Sequence, residues 1–352
     1  MKILIVTDAW EPQVNGVVRT LKQTTAELRK MGHTVELLTP LEFKTIPCPT
    51  YPDIRLSLFP GSKVTQRIRD FAPDAIHIAT EGPLGLAARS YSLKNKLPYT
   101  TAYHSRFPEY VQLRFAIPLA VTYAWLRRFH NSAQAVMAPT KVVVKDLTDR
   151  GVKNVVIWSR GVDLDVFKPG RRDKLNSRTP IFVYVGRVAV EKNVEAFLEL
   201  DLPGSKWVVG DGPAAAGLKA KYGDQKNIHW LGVLNQTELA EVYSSADVFV
   251  FPSKTDTFGL VLLEAMACGC PVAAYPVTGP IDVIGTDGPG ALKEDLHEAC
   301  IAALRIDRDE VRRFAERYSW GAASRQFLSH LHPFTPNAQA ELRLIEQGAG
   351  GE

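Results

Sequence analysis

Cysteine is scarce in this sequence. The four residues, Cys48, Cys268, Cys270 and Cys300, form no CxxC pair. A disulfide framework and a cysteine zinc ribbon are therefore not expected, and a reducing cytoplasm is the simplest compartment. Long apolar runs are also missing: none approaches the roughly 18 residues that suggest a membrane span. The opening MKILIVTDAW has too short an apolar part for a secretory leader and enters a strand pattern at once. The turn after that first strand is neither a GxGxxG fingerprint nor a P-loop. Aromatics do not interleave with the basic residues as stacking platforms would, so nucleic acid is not an expected partner.

What is present is ordinary globular material, 45% hydrophobic and 23% charged over 352 residues, enough for two domains. Charge is uneven. Up to residue 165 there are 22 Lys and Arg against 14 Asp and Glu; beyond it there are 20 against 24, giving +8 and −4. A basic front half suits an anionic surface or ligand.

Short apolar runs alternate with helix-length segments. KILIVTD, HTVELLTP, DAIHIAT, PYTTAYH and QAVMAPT read as strands of a parallel sheet, with Val17 to Met31 as the first helix. After the Pro-, Gly- and charge-rich KPGRRDKLNSRTP, which reads as a linker, the alternation restarts with IFVYVGR, KWVVGDG, NIHWLG, DVFVFPS and CPVAAYP. The expectation is α/β: two Rossmann-like doubly wound domains, residues 1–165 and 166–318, facing a cleft. A C-terminal helix and tail, 319–352, are expected to return to the first domain. RDEVRRFAERYSWGAASRQFLSHLH reads as helical and EQGAGGE as a frayed end.

Candidate chemistry sits where strands meet helices. In TDAWEPQVNGVVRTL, Asn15–Gly16 precedes a helix whose amides and dipole can face an anion. In VGRVAVEKN, Arg187 closes a strand and Lys192 opens the next helix; a planar fork and a point charge together suit a diphosphate. VVGDGP is a glycine turn that could approach a ligand or simply turn. In SKTDTFGLVLLEAMACGCPV a helix starts near Gly259. The amides of Phe258, Gly259, Leu260 and Val261 make an anion site, and Glu264 lies about 7.5 Å further along the axis. A carboxylate in so apolar a stretch needs a polar partner, and a ribose would serve. Asp256, before the helix, would face the group beyond the diphosphate. DLD at Asp163–Asp165 formally matches a metal motif but falls in an interdomain segment, so no metal site and no cofactor are expected.

These stretches, with YHSRFPEY and SRGVDLDVF, occur in an order that resembles the retaining nucleotide-sugar glycosyltransferases of the GT-B fold, over nearly the whole chain. That group includes sucrose synthases and many bacterial lipid and polysaccharide glycosyltransferases. The sequence is most similar in character to diacylglycerol glycosyltransferases and related GDP-mannose-dependent mannosyltransferases. The resemblance implies that Gly16 lets a loop approach the donor diphosphate and that His104 lies beside the transferred sugar. It implies that Arg187 and Lys192 clamp the diphosphate and that Glu264 binds ribose. His104, Asp256, Arg187 and Lys192 are then the catalytic set. The family carries two glutamates at the spacing of Asp256 and Glu264; here the first is an aspartate, which leaves the sugar open. UDP-sugars are the first expectation for the donor and GDP-mannose the second.

The acceptor is expected to be a lipid or glycan. The apolar stretch between Arg114 and Arg127, with its basic flanks, could lie in a membrane interface. It is equally compatible with a core helix with an exposed basic end. The expected setting is a cytoplasmic enzyme, peripheral on the inner face of a membrane. Two other functions fit the same fold: a nucleotide-sugar epimerase, and a non-catalytic nucleotide-sugar-binding membrane adaptor.

Overall fold

The computed structural model describes residues 1–335 other than 14, 49–50, 116, 174–178, 257 and 286. The chain divides into two compact units. One comprises Met1–Ser159 with the segment from Gly321 onward; the other is Arg160–Trp320.

The first unit holds eight strands: β1 (Lys2–Val6), β2 (Thr34–Leu38), β3 (Thr45–Cys48), β4 (Tyr51–Ser57), β5 (Ala75–Ile78), β6 (Thr100–Ala102), β7 (Ala135–Ala138) and β8 (Val155–Ile157). Six of them make a parallel sheet in the order β2-β1-β5-β6-β7-β8. Helices cover both faces, so the strands have no polar side. Leu4, Val6, Ile76 and Ile78 enter one core, and Ile3, Ile5 and Ala75 enter the other. The Trp320–His330 helix and the residue after it supply Phe327 and Leu331 to that second core. Phe327 packs against the fully buried Trp158 at 4.8 Å between ring centroids.

The second unit holds β9 (Ile181–Val185), β10 (Ser205–Val209), β11 (Ile228–Gly232), β12 (Val248–Phe251), β13 (Val272–Ala274) and β14 (Gly290–Leu292). Their order is β11-β10-β9-β12-β13-β14, all parallel. Alternate residues again feed two cores: Val183, Val185, Phe249 and Phe251 on one face, Phe182, Tyr184, Val248 and Val250 on the other. In each sheet the strand order reverses once, beside β1 and beside β9, and the crevice at such a reversal is where doubly wound folds take ligands.

Four sequence expectations change. The β3–β4 hairpin was not anticipated, because prolines punctuate TIPCPTYPD. A two-stranded ribbon is all edge, and edges tolerate proline. The segment read as a linker belongs to the second unit: Phe167 is buried beside Tyr243, and Gly170 N–H donates to Ser244 Oγ at 3.0 Å. The stretch from Arg114 to Arg127 is two helices, Phe107–Phe115 and Leu119–His130, because Pro118 is extended (φ −58°, ψ 136°) and its neighbour cannot stay helical. The last helical stretch also breaks, into Arg308–Ala315 and Trp320–His330. Between them Ser319 pairs in parallel with Val162. EQGAGGE lies outside the described residues.

Candidate functional site

In the second unit, the loops after β9 and β10 continue the sheet's hydrogen bonding past the strand ends. Gly186 N–H donates to Val209 O at 3.0 Å, Val188 N–H to Asp211 O at 3.0 Å, and Gly210 N–H to Gly232 O at 2.7 Å. This packing explains VVGDGP. A Cβ on Gly210 would stand 1.9 Å from Gly186 O, and one on Gly212 would stand 2.5 Å from Val188 O. Both glycines are needed for the approach of one backbone to another.

Arg187 follows β9, and its backbone oxygen accepts a 2.7 Å hydrogen bond from the buried Tyr184 phenol. Burial first, then the nearby Asp256 and Glu191 carboxylates, push that phenol well above its usual range, so it remains a neutral donor. Lys192 ends a 3₁₀ turn, Val190–Lys192. Its ammonium donates to Asp256 Oδ1 at 2.5 Å. Backbone ties hold the two loops together: Asn193 Nδ2 donates to Pro252 O at 3.1 Å and Thr255 Oγ1 to Glu191 O at 3.3 Å. Arg187, Lys192 and Asp256 thus stand at the carboxyl ends of β9 and β12, the strands that flank the reversal.

The Leu260–Ala267 helix starts there as well. Its N-cap, Gly259, is left-handed (φ 83°) and has no side chain of its own to cap the helix. The helix after β10, Ala215–Tyr222, also lacks a side-chain cap. Asn235, Asp295 and Asp307 cap three other helices of this unit with their own side chains, while the short helices Val194–Leu198 and Pro280–Ile284 have no such bond from their N-cap residue. Uncapped starts leave amide hydrogens and the positive end of the dipole for an anion. Glu264 lies one turn inside Leu260–Ala267 and is 5% exposed, between fully buried Leu263 and Ala265.

The first unit differs. Asn15 does not leave its helix open. Its Oδ1 accepts from Val17 N–H and Val18 N–H, each at 3.0 Å, which corrects the expectation of exposed amides behind Gly16. Gly16 itself is exposed. His104 follows β6 and meets Trp158 edge-on at 5.6 Å between centroids. The residue that sequence reading passed over is Asp8, directly after β1. It is 5% exposed and accepts from Leu84 N–H at 2.8 Å, Gly85 N–H at 3.2 Å and Thr80 Oγ1 at 3.0 Å. It therefore caps the Pro83–Lys94 helix from another strand. Burial outweighs these bonds and raises its pKa to about 6. An acid closing a buried strand was the available signal.

Asp163 uses its carboxylate on its own turn, accepting from Asp165 N–H at 3.1 Å and Val166 N–H at 3.3 Å. Among the described residues no group of three or more His, Cys, Asp or Glu converges as a metal centre would.

Comparison with known proteins agrees with this architecture. Residues 14–166 match the model of glycosyltransferase family 4, and residues 170–308 that of the glycosyl transferases group 1. The chain is 30% identical to a GDP-mannose-dependent alpha-mannosyltransferase of Corynebacterium glutamicum, over 94% of this chain and 88% of that protein. It is 27% identical to the alpha-monoglucosyldiacylglycerol synthase of Streptococcus pneumoniae, over 95% and 85%. Among solved structures, sucrose-phosphate synthase from Thermosynechococcus elongatus superposes with a TM-score of 0.73 at 21% identity, covering 93% of this chain and 97% of that one. Fold, paired domain matches and full-length relatives converge: the chain belongs to the GT-B glycosyltransferases and is an enzyme that uses a nucleotide sugar.

Proposed function

We propose that the protein transfers mannose from GDP-mannose, with retention of anomeric configuration, to a membrane lipid such as diacylglycerol. The observation that carries the donor half is the second unit's reversal point. Arg187, Lys192 and an uncapped helix start meet there, with Glu264 one turn further in. That is a chemistry for a diphosphate followed by a ribose. The amides from Phe258 to Val261 take phosphate, and Glu264 accepts ribose hydroxyls. His104 takes the role the resemblance implies, beside the sugar.

The bond between the anomeric carbon and the diphosphate oxygen breaks as the bond to the acceptor oxygen forms on the same face. The acceptor's proton passes to the departing diphosphate. Arg187, Lys192 and the helix amides stabilise that anion by preorganised charge, with no metal required in this reading. The likeness to mannosyltransferases named for GDP-mannose supports reading that donor ahead of a UDP-sugar. A second reading, glucose from a UDP-sugar, is favoured by the likeness to the monoglucosyldiacylglycerol synthase, which also supports the lipid acceptor.

Attachment to the inner face of a membrane is part of the proposal. No helix of the described residues is long and apolar enough to cross one. Ile117 and Val121, at the break between two helices, are 38% and 60% exposed on the basic first half. A thermal-shift series with GDP, UDP, ADP and their sugars tests the donor. Stabilisation by GDP and GDP-mannose alone is expected, and equal response to all three bases would sink the choice. The anomeric coupling of the first-formed product, read by NMR, tests retention; an inverted product overturns it. Flotation with anionic vesicles at low salt tests attachment, and protein left wholly at the bottom of the gradient counts against it.

A further inference from the structure

This inference rests on reading the β9 and β12 ends as the donor site. Lys192 and Asp256 form an ion pair there with side chains 23% and 15% exposed. The other carboxylate oxygen, Asp256 Oδ2, is buried and has no hydrogen-bond partner among the described residues. We propose that Asp256 is a positioning residue for Lys192, holding the ammonium where it meets the donor's diphosphate.

The geometry supports this in three ways. Reach comes first. The Asp256 carboxylate spans the gap between the two loops, and its Oδ1 is committed to Lys192. The second is the rigidity of the two loops. Thr255, immediately before Asp256, donates to Glu191 O, immediately before Lys192, so the pair joins segments already bonded side by side. The third is the nature of lysine. Arg187 is a planar fork, with its backbone oxygen fixed by Tyr184; Lys192 is a point charge on a flexible stem, which gains more from an anchor. Anchoring the ammonium before the donor arrives reduces the ordering cost of binding.

Calorimetric titration of the full chain with free GDP and UDP, and with their sugars, separates a phosphate role from a sugar role. Asp256→Asn is expected to weaken the free diphosphate and the nucleotide sugar by the same factor, about tenfold for loss of one charge-assisted bond. In a Lys192→Met background the same change is expected to cause no further loss, because Asp256 acts through Lys192. Unchanged or tighter free-diphosphate binding in Asp256→Asn, with the nucleotide sugar alone weakened, overturns the proposal in favour of a sugar contact. An equal loss with and without Lys192 overturns it too. Asp256→Glu carries the test if the amide variant does not fold. It keeps the charge beside Lys192, so free-diphosphate affinity stays within about threefold of wild type; a loss as large as that of Lys192→Met counts against the proposal. Absence of any nucleotide binding by the wild-type chain is a separate result, which defeats the donor-site reading itself.

Discussion

The two units are built on the same plan and finish it differently. Each has a six-stranded parallel sheet with one reversal of strand order. At the first unit's reversal the helix starts are closed: Asn15 caps the helix after β1, and Asp8 caps the helix after β5 from the neighbouring strand. At the second unit's reversal the N-cap of the helix after β12 is Gly259, which has no side chain to close it, and the flanking loops carry Arg187 and Lys192. Capping is worth about 1 kcal/mol per helix, so an uncapped start gives up stability unless an anion completes it. The contrast teaches where to look for phosphate on a doubly wound fold. The helix that lacks its own cap is the better candidate than the glycine before one that has it.

The contrast is tested most severely at the cations. Arg187→Ala and Lys192→Ala are each expected to lower kcat/KM by about 100- to 1,000-fold, the usual range for removing one preorganised stabiliser of a developing anion. Far-UV circular dichroism should be unchanged. A loss below tenfold in both would mean that the open helix start is not where the diphosphate sits.

Next in size is the backbone of the second unit. Gly210→Ala puts a methyl group 1.9 Å from Gly186 O at φ 123°, so a loss of about 2–4 kcal/mol is expected in urea unfolding. Gly232→Ala is the control: it shares a positive φ (70°) but meets nothing within 4 Å, and should cost only about 1–2 kcal/mol. Equal losses would show that φ, and not the approach of the β9 and β10 loops, requires these glycines. The pair also marks what the sequence could tell. GDG announced a turn, and IFVYV and DVFVF announced buried strands, because those signals are local. The approach of Gly210 to Gly186, the reach of Lys192 to Asp256 and the capping of Leu84 by Asp8 join residues far apart in the chain, and no local pattern carries them. The β3–β4 hairpin was hidden for a different reason. Prolines that normally exclude a strand exclude only a central one, and sequence alone does not show which strand will have no second neighbour.

Asp8 should make the first unit's closure depend on pH. Its folded pKa, about 6, lies above the 3.8 of an ordinary aspartate. Between those values the native state binds more proton than the unfolded chain, so stability falls as pH rises through that window. The shift corresponds to roughly 3 kcal/mol, lost from about pH 4 to about pH 6. Urea titrations across that range should show the slope for the wild type and lose it in Asp8→Asn. A slope that survives the substitution would assign it to other carboxylates.

The smallest effect should come from Asn15. Its Oδ1 satisfies two amides at the start of Gly16–Lys30, so Asn15→Ala is expected to cost about 1 kcal/mol of stability in urea unfolding. The more telling measurement is nucleotide binding by the same variant. If Asn15 closes its helix against ligands, uncapping Val17 and Val18 changes free GDP affinity by less than about twofold, well under the loss from Arg187→Ala. A large loss of affinity with the fold intact would make the Asn15 side chain part of donor recognition. The first unit's helix start would then be a working phosphate contact despite its cap, and the distinction drawn between the two reversals would fail at the residue that defines it.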